Sequence, residues 1–348
     1  MQSQTQANLS AYHTFGIDQT CQHLVHVQSV QEIIDVYQHR EWQTLPKLIL
    51  GKGSNMLFTQ PYQGVVLVNQ LLGKTVTEST DAWHLHIQAG EDWPSLVAWS
   101  LEQGFSGLEN LALIPGCAGS APIQNIGAYG MEFKDVCEYV EFLDLTTFQT
   151  QRLTREQCLF GYRDSIFKHQ LYQRVMITAV GIKLDKQWQP KAEYGPLKAL
   201  PQHALTANMI FDQVCSVRRE KLPDPERQGN AGSFFKNPVI SEQQFQALKP
   251  RFPDIVGFSV EGGVKVAAGW LIDHCGLKGL KLGGAQIHPN QALVIVNVAK
   301  ASANDVIQLA AKVRDTVWET YQIHLEHEVR FIGATEETYL DQLVERQA

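Results

Sequence analysis

Nothing in the 348-residue sequence reads as a membrane span, because no apolar run reaches the roughly 18 residues a spanning helix needs. Dense Lys/Arg runs are missing too, and the formal net charge is -7. A general nucleic-acid binder carries a basic face, so that class is excluded, although a few placed cations would still suffice for a small anionic ligand. Cysteine is sparse: Cys21, Cys117, Cys137, Cys158, Cys215 and Cys275 are scattered, with no C-x-x-C pair. The polar start, residues 1–10, lacks a signal-peptide pattern, so reduced thiols and a cytoplasmic protein are expected. There is no internal repeat and no low-complexity segment. His84/His86 and His324/His327 have no third ligand at a recognised metal spacing, so exposed histidines and no metal are expected.

What is present describes an ordinary globular protein, 44% hydrophobic and 19% charged. It is long enough for two or three domains. Ser29 and Glu32 make a capping box before Ile33, Ile34 and Tyr37, which predicts a helix over 30–41. Residues 48–50 form a short buried strand running into Gly51, 65–68 form another, and 83–87 alternate as a half-buried strand does. Residues 92–103 read as a helix ended by Gly104. Strand pattern dominates 136–188, most clearly at 175–180. Ser241 with Gln244 caps a further helix, 264–275 form one ending at Gly276, and 293–296 are a strand. Val306, Leu309, Val313, Val317 and Tyr321 lie at helical spacing behind Ser302 and Asp305. A last strand over 323–331 puts Leu325, Val329 and Phe331 on one face, and His324, Glu326, Glu328 and Arg330 on the other. This alternation means α/β or α+β with mixed sheets. The proline-rich stretch 221–225 is the natural place for the main domain boundary.

Three segments carry the chemistry. Residues 225–238 strip side chains from a short stretch at Gly229, Ala231 and Gly232, then present one hydroxyl, Ser233, closely followed by Lys236 and Asn237. Gly51-Lys52-Gly53-Ser54-Asn55 comes directly after a strand and can turn successive amides toward a phosphate, with Ser54 and Asn55 adding donors. It is not a dinucleotide fingerprint, because Met56 stands where the third glycine belongs and the residues beyond it are strand-like. Residues 114–130 hold four glycines, no charge and no regular element, which is uncommon for a mere connector. An uncharged, backbone-rich surface of that kind suits a flat heterocycle and its diphosphate.

Two glycine loops without a Rossmann fingerprint resemble the FAD-binding domain of the vanillyl-alcohol-oxidase and p-cresol methylhydroxylase type. The order of motifs narrows this. His13-Thr-Phe-Gly16, the loops at 51–55 and 114–130, Gly161-Tyr-Arg-Asp-Ser165, 218–225, 229–238, Gly269-Trp-Leu-Ile272 and Glu328-Val-Arg330 together resemble the MurB family of UDP-N-acetylenolpyruvoylglucosamine reductases, in its longer-chain branch. The resemblance implies an α+β protein with two FAD-binding subdomains (1–70 and 71–220) and a third, substrate domain (221–325). Residues 326–348 would return as strand and tail to the FAD domain. It also implies non-covalent FAD, NADPH as co-substrate, and a monomer in peptidoglycan precursor synthesis, serving cell wall biogenesis, cell shape and cell division.

In the implied reaction, hydride from reduced flavin N5 adds to C3 of the enolpyruvyl ether and a proton is delivered to C2. Negative charge that spreads from C2 into the carboxylate must be stabilised on the way. Arg163 matches the arginine that holds the substrate carboxylate, against the plainer reading of a salt bridge with Asp164. Ser233 matches the proton donor; a serine suffices because the carbanion is a strong base. Glu328 matches the catalytic glutamate, which would need to be protonated or shared with Arg163 to stabilise an anion. FAD would be held by Gly51, Lys52, Gly53, Ser54, Asn55, Ile114, Pro115, Gly116, Gly119, Ser120, Asn125, Gly127, Ala128 and Tyr129. Tyr194, Arg218, Lys221 and Asn237 match substrate positions, with Lys221 and Tyr194 meeting the diphosphate. His288 and Gln291 agree with the longer branch. Two rivals are an FAD-dependent alcohol or sugar oxidase of the same fold, which would need no NADPH, and a silent nucleotide-sugar binder.

Overall fold

A computed structural model describes residues 3–345, which divide into two compact units. Unit 1 comprises the segments up to Thr5, His23–Lys52 and Val65–Glu220; unit 2 comprises Gln6–Gln22, Gly53–Gly64 and the chain from Lys221 onward.

In unit 1 the strand Lys47–Leu50 runs parallel to Tyr62–Asn69, with Leu50 opposite Val68. The unit 1 portions of Ser3–Asn8 and Thr20–Val27 complete that sheet. The helix Val30–Gln38 starts where Ser29 accepts the Glu32 amide, and the Glu32 carboxylate accepts the Gln28 amide at 2.6 Å. It ends three residues earlier than its apolar spacing predicts. His39 turns to an extended conformation and its ring stacks on Trp42, 4.0 Å between centroids.

Unit 1 also holds a five-stranded antiparallel sheet in the order Thr150–Thr154, Cys137–Asp144, Val175–Asp185, Ala82–Gln88, Lys74–Glu78. Residues 175–182 are buried on both faces, which is why they read as a continuous apolar run. The helix Trp93–Glu102 is capped by Asp92, which accepts the Ser95 amide. Its Trp93, Leu96 and Val97 pack with Ile87, Val140 and Val180 in the main core of this unit. The expectation that His84 and His86 are exposed is wrong: both are half-buried, His84 against Glu138 at 3.0 Å and His86 against the Tyr139 hydroxyl at 2.7 Å.

In unit 2 the helix Ala303–Tyr321 carries the full Ser302/Asp305 capping box and buries Val306, Leu309, Val313, Val317 and Tyr321. A four-stranded sheet runs in the order Asn230–Ser233, Val294–Asn297, Ala285–Ile287, Lys281–Leu282. Residues 264–275 are not one helix. Val264 and Val266 are buried at a period of two within the strand Gly263–Val266, which pairs with Gly257–Val260 and with Val239–Ile240. The helix is confined to Ala268–His274. The last strand is also shorter than predicted: only Arg330–Ile332 is in a ladder, parallel to Met56–Phe58. Ile323, Leu325, Val329 and Phe331 are nevertheless all buried. His324 is exposed, whereas His327 is half-buried with its ring 4.7 Å from that of Phe331. Among the described residues no helix is long and apolar enough to cross a membrane.

Candidate active site

Unit 1 carries Gly51 and Lys52 of the first glycine loop and the whole of the second, and Gly51 touches the second loop. A cavity of about 480 Å³ lies where the chain leaves the parallel strands, lined by Gly51, Lys52, Val68, Asn69, Gln70 and Gly90 among others. A Cβ placed on Gly51 would sit 2.6 Å from the Cys117 sulfur, so the first loop packs directly on the second. Gly119 is equally tight: its Cβ would lie 2.5 Å from that of Ala89. Trp93 donates its amide to the Gly116 carbonyl, and Ser120 donates its hydroxyl to the Cys117 carbonyl. Lys52 is exposed and reaches Asp92 at 3.5 Å. Its amide and that of Gly53 donate to no backbone carbonyl among the described residues. A diphosphate is the kind of group such paired amides take.

The long loop is held from below by side chains. Asn125, buried with φ +44°, donates to the Gly161 carbonyl and the Glu132 carboxylate and accepts the Lys134 amide. Ser165 donates its hydroxyl to the Ile123 carbonyl at 2.6 Å, and Arg163 donates from Nη2 to the Gly127 carbonyl at 3.2 Å. Asn125 and Ser165 therefore fasten the 161–165 segment under the loop, while Ile114 and Ala128 stay half-buried and Pro115 is exposed at its surface. Asp164 pairs with His169 at 2.8 Å.

Arg163 has a second cation near it. Arg218, on the helix Ala207–Lys221, has its guanidinium buried, and its Nε has no hydrogen-bond partner among the described residues. Burial lowers its pKa; Tyr129 and Cys215 oppose that shift, and the charge of Arg163 adds to it. Tyr129 is pushed up by burial and drawn back by Arg218. Tyr194 stands over the same corner, exposed, at a point where a Cβ on Gly130 would lie 3.3 Å from its own. Two arginines and two phenols around one buried corner describe a receptor for an anion.

Unit 2 brings together Gly53, Ser54, Asn55, Ser233, Asn237 and Glu328. Gly53, at φ +59°, is pressed on the backbone of Tyr12 and His13, and the Thr14 amide donates to its carbonyl. Burial lowers the pKa of His13, whose Nε2 lies 3.0 Å from the Ile17 carbonyl. Ser233 ends the strand Asn230–Ser233 after the left-handed turn of Gly232 (φ +73°), whose amide the Asn230 side chain accepts. The segment after it pairs with the C-terminal segment: Glu328 donates its amide to the Phe234 carbonyl at 2.8 Å, and Lys236 donates its amide to Glu326 at 2.9 Å. Asn55 donates from Nδ2 to the Glu328 carbonyl, and Arg330 donates its amide to Asn55. Asn237 accepts the Ala268 amide at 2.9 Å, capping the helix Ala268–His274 and leaving its NH2 to point elsewhere. His288 accepts the amides of Asn290 and Gln291 on Nδ1, which shapes the turn presenting Gln291. Lys221 is exposed at the end of its helix.

Sequence reasoning missed Glu109, Asn110 and Trp188. Asn110 donates to the carbonyls of Tyr129 and Lys191, and Glu109 accepts the Trp188 indole N–H at 2.6 Å. The available signal was two polar residues inside the apolar stretch 108–114, both almost completely buried.

Comparison with known proteins bears on the same regions. A model of the UDP-N-acetylenolpyruvoylglucosamine reductase C-terminal domain matches residues 224–332, and an FAD-binding domain model matches residues 21–150. The chain is 58% identical to UDP-N-acetylenolpyruvoylglucosamine reductase of Vibrio parahaemolyticus over 98% of both chains. It is 60% identical to that of Vibrio cholerae over the full length of both. The crystal structure of the reductase from Thermus caldophilus aligns with a TM-score of 0.67 at 25% identity, covering 95% of this chain and 98% of that one. The fold is accordingly α+β, with the FAD-binding architecture expected from the glycine loops.

Proposed function

The chain belongs to the UDP-N-acetylenolpyruvoylglucosamine reductase family, and from that premise we propose how its own residues carry the reduction of the enolpyruvyl group to give UDP-N-acetylmuramate. The chemistry that bound FAD supplies is hydride transfer, from NADPH to the flavin and from N5 to C3 of the substrate. Everything else falls to side chains and amides.

Cofactor holding is assigned to the Lys52 and Gly53 amides with Ser54 and Asn55, for the diphosphate, and to the backbone of 114–116 and 127–129, for the ring. Gly51, Gly119, Ser120 and Asn125 belong to the same cofactor site, and each is also held by contacts within the protein. Arg163 and Arg218 receive the substrate's negative charge. The buried Arg218 guanidinium, whose Nε has no hydrogen-bond partner among the described residues, is stabilised by an anion that reaches it. Lys221 and Tyr194 bind the diphosphate, and Asn237 and Gln291 add neutral donors.

Ser233 delivers the proton to C2, and Glu328 stabilises the charge that develops there, in its protonated form or by sharing a proton. The observation that carries this assignment is the pairing that fixes Glu328 to Phe234, one residue past Ser233, at 2.8 Å. A hydroxyl and a carboxyl are thereby set on adjacent rigid segments, as proton delivery requires. The reaction would serve peptidoglycan precursor synthesis in the cytoplasm. The test is a visible spectrum of the purified protein, followed by anaerobic NADPH and then the enolpyruvyl substrate. Bleaching by NADPH and recovery of colour only with substrate is the expected result. Rapid recovery with oxygen alone, and none with substrate, would point to an oxidase instead.

A further inference from the structure

We propose that Asn110 is a positioning residue that latches the Tyr194-bearing segment to the loop ending at Tyr129, and so sets the affinity for substrate; this rests on the substrate role proposed for Tyr194. Asn110 is 1% exposed, in a short helical turn over Glu109–Leu111. Its Nδ2 donates one hydrogen to the Tyr129 carbonyl at 2.9 Å and the other to the Lys191 carbonyl at 2.7 Å. Two carbonyl acceptors leave only the NH2 end of the amide able to face them, so the orientation is fixed by chemistry.

The two carbonyls belong to segments 62 residues apart in the chain, which also meet where Gly130 packs on Tyr194. Tyr129 sits at φ +50°, an uncommon conformation for a bulky residue. Lys191 lies three residues before Tyr194, in a stretch without regular structure until Gly195–Ala199. The neighbouring Glu109 anchors the same stretch further back, accepting the Trp188 indole N–H at 2.6 Å while its other oxygen accepts the Gly107 amide at 2.7 Å. Lys191 adds an ion pair with Asp135 at 2.7 Å. The Tyr194 side chain itself is 53% exposed, so it contributes little to holding its own segment. The latch is made instead by buried polar groups behind it, where each bond is strong and its loss costly.

Asn110→Asp keeps the shape and removes both donors, setting a carboxylate against two carbonyls. Trp188→Phe removes only the outer anchor and serves if the first variant folds poorly. Two readouts separate the latch from general damage. Trypsin cleavage after the exposed Lys198 of native protein should accelerate at least tenfold in Asn110→Asp and less in Trp188→Phe. With enolpyruvyl substrate, KM should rise about ten- to thirtyfold in Asn110→Asp, the cost of two lost hydrogen bonds. In Trp188→Phe, which leaves the Tyr129 carbonyl bonded to Asn110, FAD content should be retained and the rate of flavin reduction by NADPH should stay within about twofold. Unchanged cleavage and KM in both variants would overturn the proposal, as would a fall in NADPH reduction as large as the rise in KM in Trp188→Phe. Absence of turnover in the wild type would refute the functional reading, whereas cleavage after Lys198 tests the latch independently of it.

Discussion

Replacing Gly51 by Ala probes the contact between the two glycine loops with one carbon atom. Gly51 is not in the left-handed region, so its backbone accepts an L-residue without strain, and the penalty comes from packing alone. The new Cβ would lie 2.6 Å from the Cys117 sulfur, about 0.8 Å short of the 3.4 Å at which ordinary contact begins. Cys117 is 4% exposed and its thiol is held neutral by burial, so the sulfur has no solvent to move into. Overpacking of this size costs roughly 1–3 kcal/mol. Cys117→Ala alone removes the sulfur and leaves a small void, costing about 1 kcal/mol. The double variant should be close to Cys117→Ala, giving a favourable coupling of about 1–3 kcal/mol. Urea denaturation of the four proteins, with bound FAD measured on each, checks both halves. Gly51→Ala should lose flavin, and the double variant should regain it. Additive stabilities, or FAD loss undiminished in the double variant, would refute the idea that the loops press on each other to shape the diphosphate site.

Two further expectations are separable from that one. Lys221→Ala removes an exposed cation proposed to meet the diphosphate, a charge-assisted contact worth roughly 1.5–3 kcal/mol, so UDP-sugar affinity measured by titration should fall about ten- to a hundredfold; equal affinity would remove Lys221 from the site. Burial lowers the pKa values of His13, His288 and His327 below their ordinary 6.5, so the unfolded chain takes up protons on these groups before the folded one does. Stability should therefore be greatest above pH 6.5 and decline as pH falls below it, by up to about 1.4 kcal/mol per proton per pH unit. A lower Tm at pH 5.5 than at 7.5, with a smaller drop in His13→Gln, is expected; a higher Tm at pH 5.5 would contradict this.

Much of the architecture was legible because it is written in local chemistry. Ser29, Ser241 and Ser302 cap their helices through the side chains that marked them in the sequence. The apolar run at 175–182 is a central strand because both its faces are covered. Where the reading failed, long-range pairing decided. Val264 and Val266, two residues apart, share a strand face rather than a helix face, and they pair with Val239–Ile240 and Gly257–Val260. The stretch 323–329 kept its alternating burial but gave its backbone groups to Phe234 and Lys236 instead of a regular ladder. The glycines at 51 and 53 were read as room for a ligand. In the structure, side chains are excluded there first by Cys117 and by the Tyr12–His13 backbone, so substitutions at Gly53 strain the fold as well as the site. The partners of Asn110 could not be read from the sequence, because its two acceptors lie 19 and 81 residues away.

The most direct measurement follows the flavin by anaerobic stopped-flow in wild type and Ser233→Ala, one half-reaction at a time. Reduction by NADPH needs no proton at C2, so its rate should be nearly unchanged. Reoxidation by the enolpyruvyl substrate should fall by about 10³–10⁴-fold, the upper range for a positioned general acid, because the carbanion then has no donor and hydride addition can reverse. Ser233→Cys should recover part of that rate, its thiol being more acidic and still able to reach C2. If Ser233→Ala slows both half-reactions equally, or slows neither, the hydroxyl is structural and the proposed proton delivery is wrong.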